Sequence, residues 1–343
     1  MPTFTVRHHL AGTLYCLALG LCLARLALAA NSPPPADQSD VTNWQPLPEV
    51  TVIGKMDAHV LNHAINQFIQ SHARPSIVTN QLGRWHIVIC PVVFGMKRPY
   101  AEFISRRIAN VARSIGAPTL APGNRCTVNV DVMFTPEPQA QLDFIAKRHP
   151  SLLGYDPKAD VKQARKFTHP VQAWYMTGSR SLDGFQLPAP MGQSNQLATY
   201  TPQPVDLTYF MPGLMIDSAD TSGNGIGFGP TGTAGSHLSH GLRSELMHVL
   251  IIVDSKKVLN YQLQTISDYI ALLALTRIDS LDTCSSLPSI LNLFASQCAA
   301  PPAAITAVDT AYLKALYGAE LDMNLNLEQG DIHAHMLDAI SNK

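Results

Sequence analysis

Residues 245–277 organise the chain. In ELMHVLIIVD, residues 249–253 are aliphatic without interruption and mostly β-branched. A run of that kind predicts a strand covered on both faces. A short polar turn, SKKVLNYQ, follows it. In the next stretch, QTISDYIALLALTR, Ile266, Tyr269, Ile270, Leu273 and Ala274 recur at helical spacing. Residues 270–275 are apolar all round, which marks a core helix rather than a surface one.

Hydrophobic periodicity places the other elements in turn. Residues 56–72 read as a helix with Val60, Leu61, Ala64, Ile65, Phe68 and Ile69 on one face. His59 and His63 stand at i, i+4 on that helix, but no Glu follows His59, so H-E-x-x-H is absent and both read as polar-face histidines. HIVICPVVF (86–94) is a strand interrupted by Pro91, hence an edge strand or one that ends early. Residues 99–115 form a helix on Phe103, Ile104, Ile108, Val111, Ala112 and Ile115, with Arg106, Arg107 and Arg113 toward solvent. Gly116 and Pro118 stop it. CTVNVDVMF (126–134) alternates, with Val128, Val130, Val132 and Phe134 on one face. Residues 136–170 contain a partly helical QAQLDFIAKRH, and VQAWYMTG (171–178) is a further strand.

Periodicity is lost over 179–241, a long irregular loop rich in Pro and Gly; loops of that length are functional or disordered. The central strand is followed by four helices: the core helix, SSLPSILNLFAS, AYLKALY and a last one over 326–341. Thr306 to Asp309 supplies a capping box for AYLKALY and Gly318 its C-terminal stop. The order predicts an α+β domain over 49–343, with a mixed sheet of about four to five strands, packed helices and a helical C-terminal half.

Composition adds the compartment. With 46% hydrophobic and 14% charged residues, the 343-residue chain can bury a sizeable core. A formal net charge of −1 gives no footprint for nucleic acid or an anionic membrane surface. Residues 1–30 read as a signal peptide: Arg7, His8 and His9 in a polar start, an apolar stretch over 10–24, and Ala27-Leu28-Ala29 as the cleavage site. Arg25 ends that stretch short of a membrane span. Residues 31–48 (NSPPPADQSDVTNWQPLP) read as a disordered leader. The expectation is a periplasmic or secreted protein without a membrane span once the signal is removed. Cys90, Cys126, Cys284 and Cys298 remain after cleavage, an even number that suggests disulfides. The pairing chosen is the local one, Cys90 with Cys126 and Cys284 with Cys298. No pair has C-x-x-C spacing, so neither a redox motif nor a thiolate zinc site is supported.

The densest polar cluster is His237, His240, Glu245 and His248, a zinc set by residue type. Its spacing is not diagnostic. Glu245 and His248 differ by an odd number and fall on opposite faces of a regular strand, so a shared site requires a bend. There is no G-x-S-x-G elbow. SGNGIGFGPTGTAG lacks the Lys-Ser or Lys-Thr of a phosphate loop. No cofactor and no metal is expected. Asp268, a carboxylate on a mostly apolar helix, is the remaining candidate cleft residue; a backbone N–H or a basic side chain from the 179–241 loop is its expected partner.

SDYIALLAL, SILNLF and ITAVDTAYLKALY together resemble uncharacterised secreted bacterial proteins of zincin-like, metallopeptidase-like layout, over roughly residues 245–320. The resemblance implies a zincin-like fold in which Ser267-Asp268-Tyr269-Ile270-Ala271 stands where H-E-x-x-H would be. Asp268 keeps a carboxylate at the Glu position, while Ser267 and Ala271 replace both ligand histidines. Ala offers no donor, so the metal is lost and the scaffold kept. The expected function is that of a non-catalytic binding or accessory protein, acting on a cell-envelope protein or a small ligand. Two alternatives are a hydrolase with a non-standard site around Asp268, His237, His240 and His248, and a structural envelope protein.

Overall fold

A computed structural model describes residues 56–76, 79–121, 124–154, 161–181, 242–321 and 323–341, all within the unit Glu49–Lys343. The signal (1–30), the leader (31–48), and nearly all of the 179–241 loop, with His237 and His240, lie outside the described residues.

The described strands are β1 (Pro91–Phe94), β2 (Val130–Thr135), β3 (Val171–Ser181) and β4 (Leu242–Asp254), in the order β1-β2-β4-β3. β1, β2 and β4 run parallel, and β3 pairs antiparallel with the outer side of β4. β4 is therefore internal, hydrogen-bonded on both sides over Val249 to Asp254. Val249, Ile251 and Val253 enter the large core on one face, and Leu250 and Ile252 a smaller core on the other. This two-sided burial accounts for the unbroken apolar run.

Two strands differ from expectation in instructive ways. β1 starts at Pro91, on the sheet edge, because proline has no N–H for the ladder and is tolerated at a first edge position. β2 is buried on both faces, Asp131 and Met133 included, although its sequence alternates. An internal parallel strand has no solvent face, so its polar Asp131 is enclosed.

The helices are α1 (Ala58–His72), α2 (Arg98–Ser114), α3 (Pro138–Arg148), the single turn α4 (Val161–Ala164), α5 (Leu263–Leu275), α6 (Ala307–Gly318) and α7 (Leu325–Ser341). On α1, His59 and His63 are exposed, and so is Val60, at the margin of the apolar stripe. α2 and α5 contribute to the large core, while α3 and a 3-10 turn (Pro150–Leu153) contribute Leu142, Ile145 and Leu152 to the smaller one. Gly116 ends α2 with φ +81°, a left-handed conformation that costs glycine little.

α5 is buried from Thr265 to Leu275. A buried helix end must have its last carbonyls satisfied. Here the indole Nε1 of Trp85 donates to the Ala274 carbonyl at 2.8 Å, and the Tyr317 hydroxyl donates to the Leu275 carbonyl at 2.8 Å. α6 opens with the predicted capping box between Thr306 and Asp309. Its other end departs from the prediction. Gly318 lies in the last turn, and the Arg84 guanidinium donates to the carbonyls of Leu316, Ala319 and Glu320 at 2.5, 2.7 and 2.8 Å. Between Cys284 and Cys298 a short 3-10 helix (Ile290–Leu293) replaces the expected α-helix.

Both local disulfides are present, Cys90–Cys126 with Cα atoms 5.9 Å apart and Cys284–Cys298 at 5.5 Å. The first ties the start of β1 to the segment leading into β2. Among the described residues no helix is long and apolar enough to cross a membrane. The result is an α+β fold with a four-stranded mixed sheet and a helical C-terminal half.

Candidate functional site

Asp268 is 0% exposed and sits among three donors from three elements. Arg107 Nε of α2 donates to Oδ1. Gln264 Nε2, one turn earlier on α5, donates to the same oxygen at 2.9 Å. The Ile305 backbone N–H, just before α6, donates to Oδ2 at 3.0 Å. A basic side chain does neutralise the carboxylate, but it comes from α2. Ser267 and Ala271, flanking Asp268 on α5, are also fully buried. Ser267 Oγ donates back to the Leu263 carbonyl at 2.6 Å. A carboxylate held this way is a structural tie between α2, α5 and the α6 entry.

Glu245 and His248 lie on β4, and the structure brings them to one face. Thr177 pairs with Leu246 and Met176 with His248, so Met247 is an extra, bulged residue. The bulge shifts the alternation by one and supplies the bend that a shared face requires. Each side chain has its own partner nonetheless. Glu245 takes a bidentate pair from Arg180 on β3, at 2.8 Å from Nε and 2.7 Å from Nη2. His248 Nε2 lies 3.0 Å from Asp131 Oδ2 on β2. Asp268 belongs to α5, on the large-core side, and does not join them.

The Asp131–His248 pair is incompletely satisfied. Asp131 and His248 are 2% and 5% exposed, yet Asp131 Oδ1 and His248 Nδ1 meet no hydrogen-bond partner among the described residues. A carboxylate can only accept, so His248 Nε2 is the donor in this pair. Nearby, burial and the charges of Arg243, Arg84 and Arg180 push the His86 imidazole down to about 4. Among the described residues, no three or more His, Cys, Asp or Glu side chains group closely enough to hold a metal ion.

A second feature is built from loops and not from any motif. β1 leads into α2 on the large-core side, and β2 leads into α3 on the opposite side. In open sheets with parallel strands, ligands bind outside the carboxyl ends where successive connections part in this way. A cavity of about 250 Å³ lies there, lined by residues that include Gly95, Lys97, Phe134, Ser255, Leu259 and Tyr261. Gly95 makes the close approach possible: its φ is +81°, and a Cβ there would stand 1.9 Å from the Phe134 carbonyl oxygen. Leu259 is 76% exposed at the mouth. Tyr261 packs edge-on against Phe294, which packs edge-on against the buried Tyr269. Sequence reasoning missed this site, as well as Arg107, Asp131 and Arg180. A signal for Arg107 existed, since it lies beside Ile104, Ile108 and Val111 on the helical face that is buried.

No protein-family model, curated protein or solved structure matches the chain.

Proposed function

We propose that the protein is exported, has a zincin-like layout without the metal motif, and acts as a non-catalytic binding or accessory protein of the cell envelope. The observation that carries this reading is the environment of Asp268. Where a zincin would keep a reactive carboxylate between two ligand histidines, this chain has a carboxylate committed to Arg107, Gln264 and the Ile305 N–H. The flanking Ser267 and Ala271 are packed into the core. Two disulfides support an oxidising compartment. An antiparallel strand beside the strand that feeds α5 supports the zincin-like layout.

Three measurements on protein produced in an export-competent bacterial host test the reading. N-terminal sequencing should find cleavage near Ala29 or Ala30. Elemental analysis should find no stoichiometric zinc, and peptide and ester substrates should not turn over. Intact Met1 in the mature material, about one zinc per chain, or turnover lost on Asp268→Asn would each defeat it.

One observation favours the hydrolase alternative in altered form. His248, oriented by Asp131 and with no partner for Nδ1 among the described residues, is placed as a general base would be. In that reading His248→Gln abolishes turnover and Asp268→Asn does not.

A further inference from the structure

The cavity at the carboxyl ends of β1, β2 and β4 has a defined chemistry. Its lining is mainly apolar, with Phe134, Val258, Leu263 and Ile266 inside. Three side chains with polar groups, Lys97, Ser255 and Tyr261, also line it. The cations around the mouth are not equivalent. Lys256 Nζ pairs with Glu137 at 2.7 Å, Lys257 faces Asp254 at 3.9 Å, and Arg98 Nε pairs with Glu102 at 2.7 Å. Lys97 meets no acidic partner among the described residues and is exposed. Lys97 therefore brings to the wall of an apolar hollow a cation without an acidic partner among the described residues.

We infer that this cavity binds a small anionic amphiphile, a single carboxylate on a short aliphatic chain, with the carboxylate at Lys97 and Ser255 and the chain against Phe134, Leu263 and Ile266. The volume sets the size. About 250 Å³ is roughly eight times the ~30 Å³ share of a water molecule in the liquid. That holds a ligand of about ten non-hydrogen atoms, below the drug-sized range. The sign of the charge follows from Lys97, and the aliphatic body from the lining. The inference rests on the binding reading above and names the class of ligand for it.

Octanoate is the probe, titrated into the full chain at neutral pH and followed by NMR chemical shifts. Saturable binding is expected, with a dissociation constant on the order of a millimolar or below for so few atoms. Octylammonium, of the same length and opposite charge, should bind measurably more weakly. Lys97→Ala should weaken octanoate about two- to fivefold, the range of an exposed ion pair, and leave neutral octanol unchanged. Ser255→Trp, which fills the hollow from its rim, should abolish binding of all three while circular dichroism and the melting temperature stay near wild type. Equal affinity for octanoate and octylammonium, or octanoate binding that survives Ser255→Trp, would overturn the assignment, as would the absence of saturable binding. Turnover of a peptide or ester by the same preparation would defeat the non-catalytic reading and leave this site standing.

Discussion

Asp268 and Asp131 are both enclosed carboxylates, and their surroundings give them different roles. Asp268 accepts from a guanidinium, a carboxamide and a backbone N–H. Asp131 meets His248 through one oxygen, and its other oxygen has no partner among the described residues. A fully satisfied carboxylate contributes mainly to cohesion, and removing it leaves its donors stranded. Breaking a buried pair costs about 3–5 kcal/mol. Arg107 keeps 25% of its side chain exposed and can recover some hydration, so Asp268→Ala should cost about 2–3 kcal/mol. Asp268→Asn should cost less, since its single amide oxygen still accepts from Arg107 and Gln264 at the Oδ1 position and only the Ile305 N–H loses its acceptor. Urea unfolding of both variants checks this, and an Asp268→Ala protein as stable as wild type would refute the structural role. The location of Asp268 in the core was legible from the apolar residues around it on α5. Its partner was not, because Arg107 lies 161 positions away and only the packing of α2 on α5 joins them.

At the scale of elements, legibility tracks local physics. The β4 and α5 patterns were readable because both elements are covered on every side, so each position carries the signal. The capping box at Thr306 was readable because its two partners are three residues apart. The bulge at Met247 left no mark in the sequence, since it arises from register with β3, and with it went the shared face of Glu245 and His248. The carboxyl-end cavity was equally hidden, being assembled from the ends of three strands and the turns after them. Helix ends closed by distant side chains explain the misplaced role of Gly318: Arg84 reaches α6 from 232 positions away. The local disulfides, by contrast, permit a graded prediction. Cys90–Cys126 spans 36 positions and Cys284–Cys298 spans 14. In the loop-entropy picture they contribute about 4 and about 3 kcal/mol respectively. Paired Cys→Ala variants at 90/126 should therefore melt below those at 284/298. The opposite order in calorimetry would show that something other than loop closure governs these bridges.

For the molecule as a whole, pH dependence is set by buried groups and not by the near-zero net charge. Glu328 on α7 accepts from the Leu82 N–H at 2.7 Å and pairs with Arg84 at 3.2 Å. Burial outweighs both and holds its carboxyl up at about 7. The folded state then binds this proton more readily than the unfolded chain does between the ordinary 4.5 and about 7. The contribution of Glu328 to stability is complete below pH 4.5 and declines as the pH rises toward 7. His86 acts with the opposite sign. Its folded imidazole titrates near 4 against an ordinary 6.5, so it contributes above pH 6.5 and that contribution is lost as the pH falls toward 4. Between about pH 4.5 and 6.5 the two oppose each other and flatten the wild-type curve. Single variants expose the components. Glu328→Gln, which keeps an acceptor for the Leu82 N–H, should lose stability on acidification from pH 6.5 to 4.5, because Glu328 no longer opposes His86 and the likewise buried His72, whose imidazole burial also pushes down. His86→Gln should gain stability over the same interval, through Glu328. Melting temperatures of the wild type and both variants from pH 4 to 8 test this. Parallel curves for all three would mean that the Arg84 pair keeps Glu328 ionised throughout and that His86 titrates alike in the folded and unfolded chain.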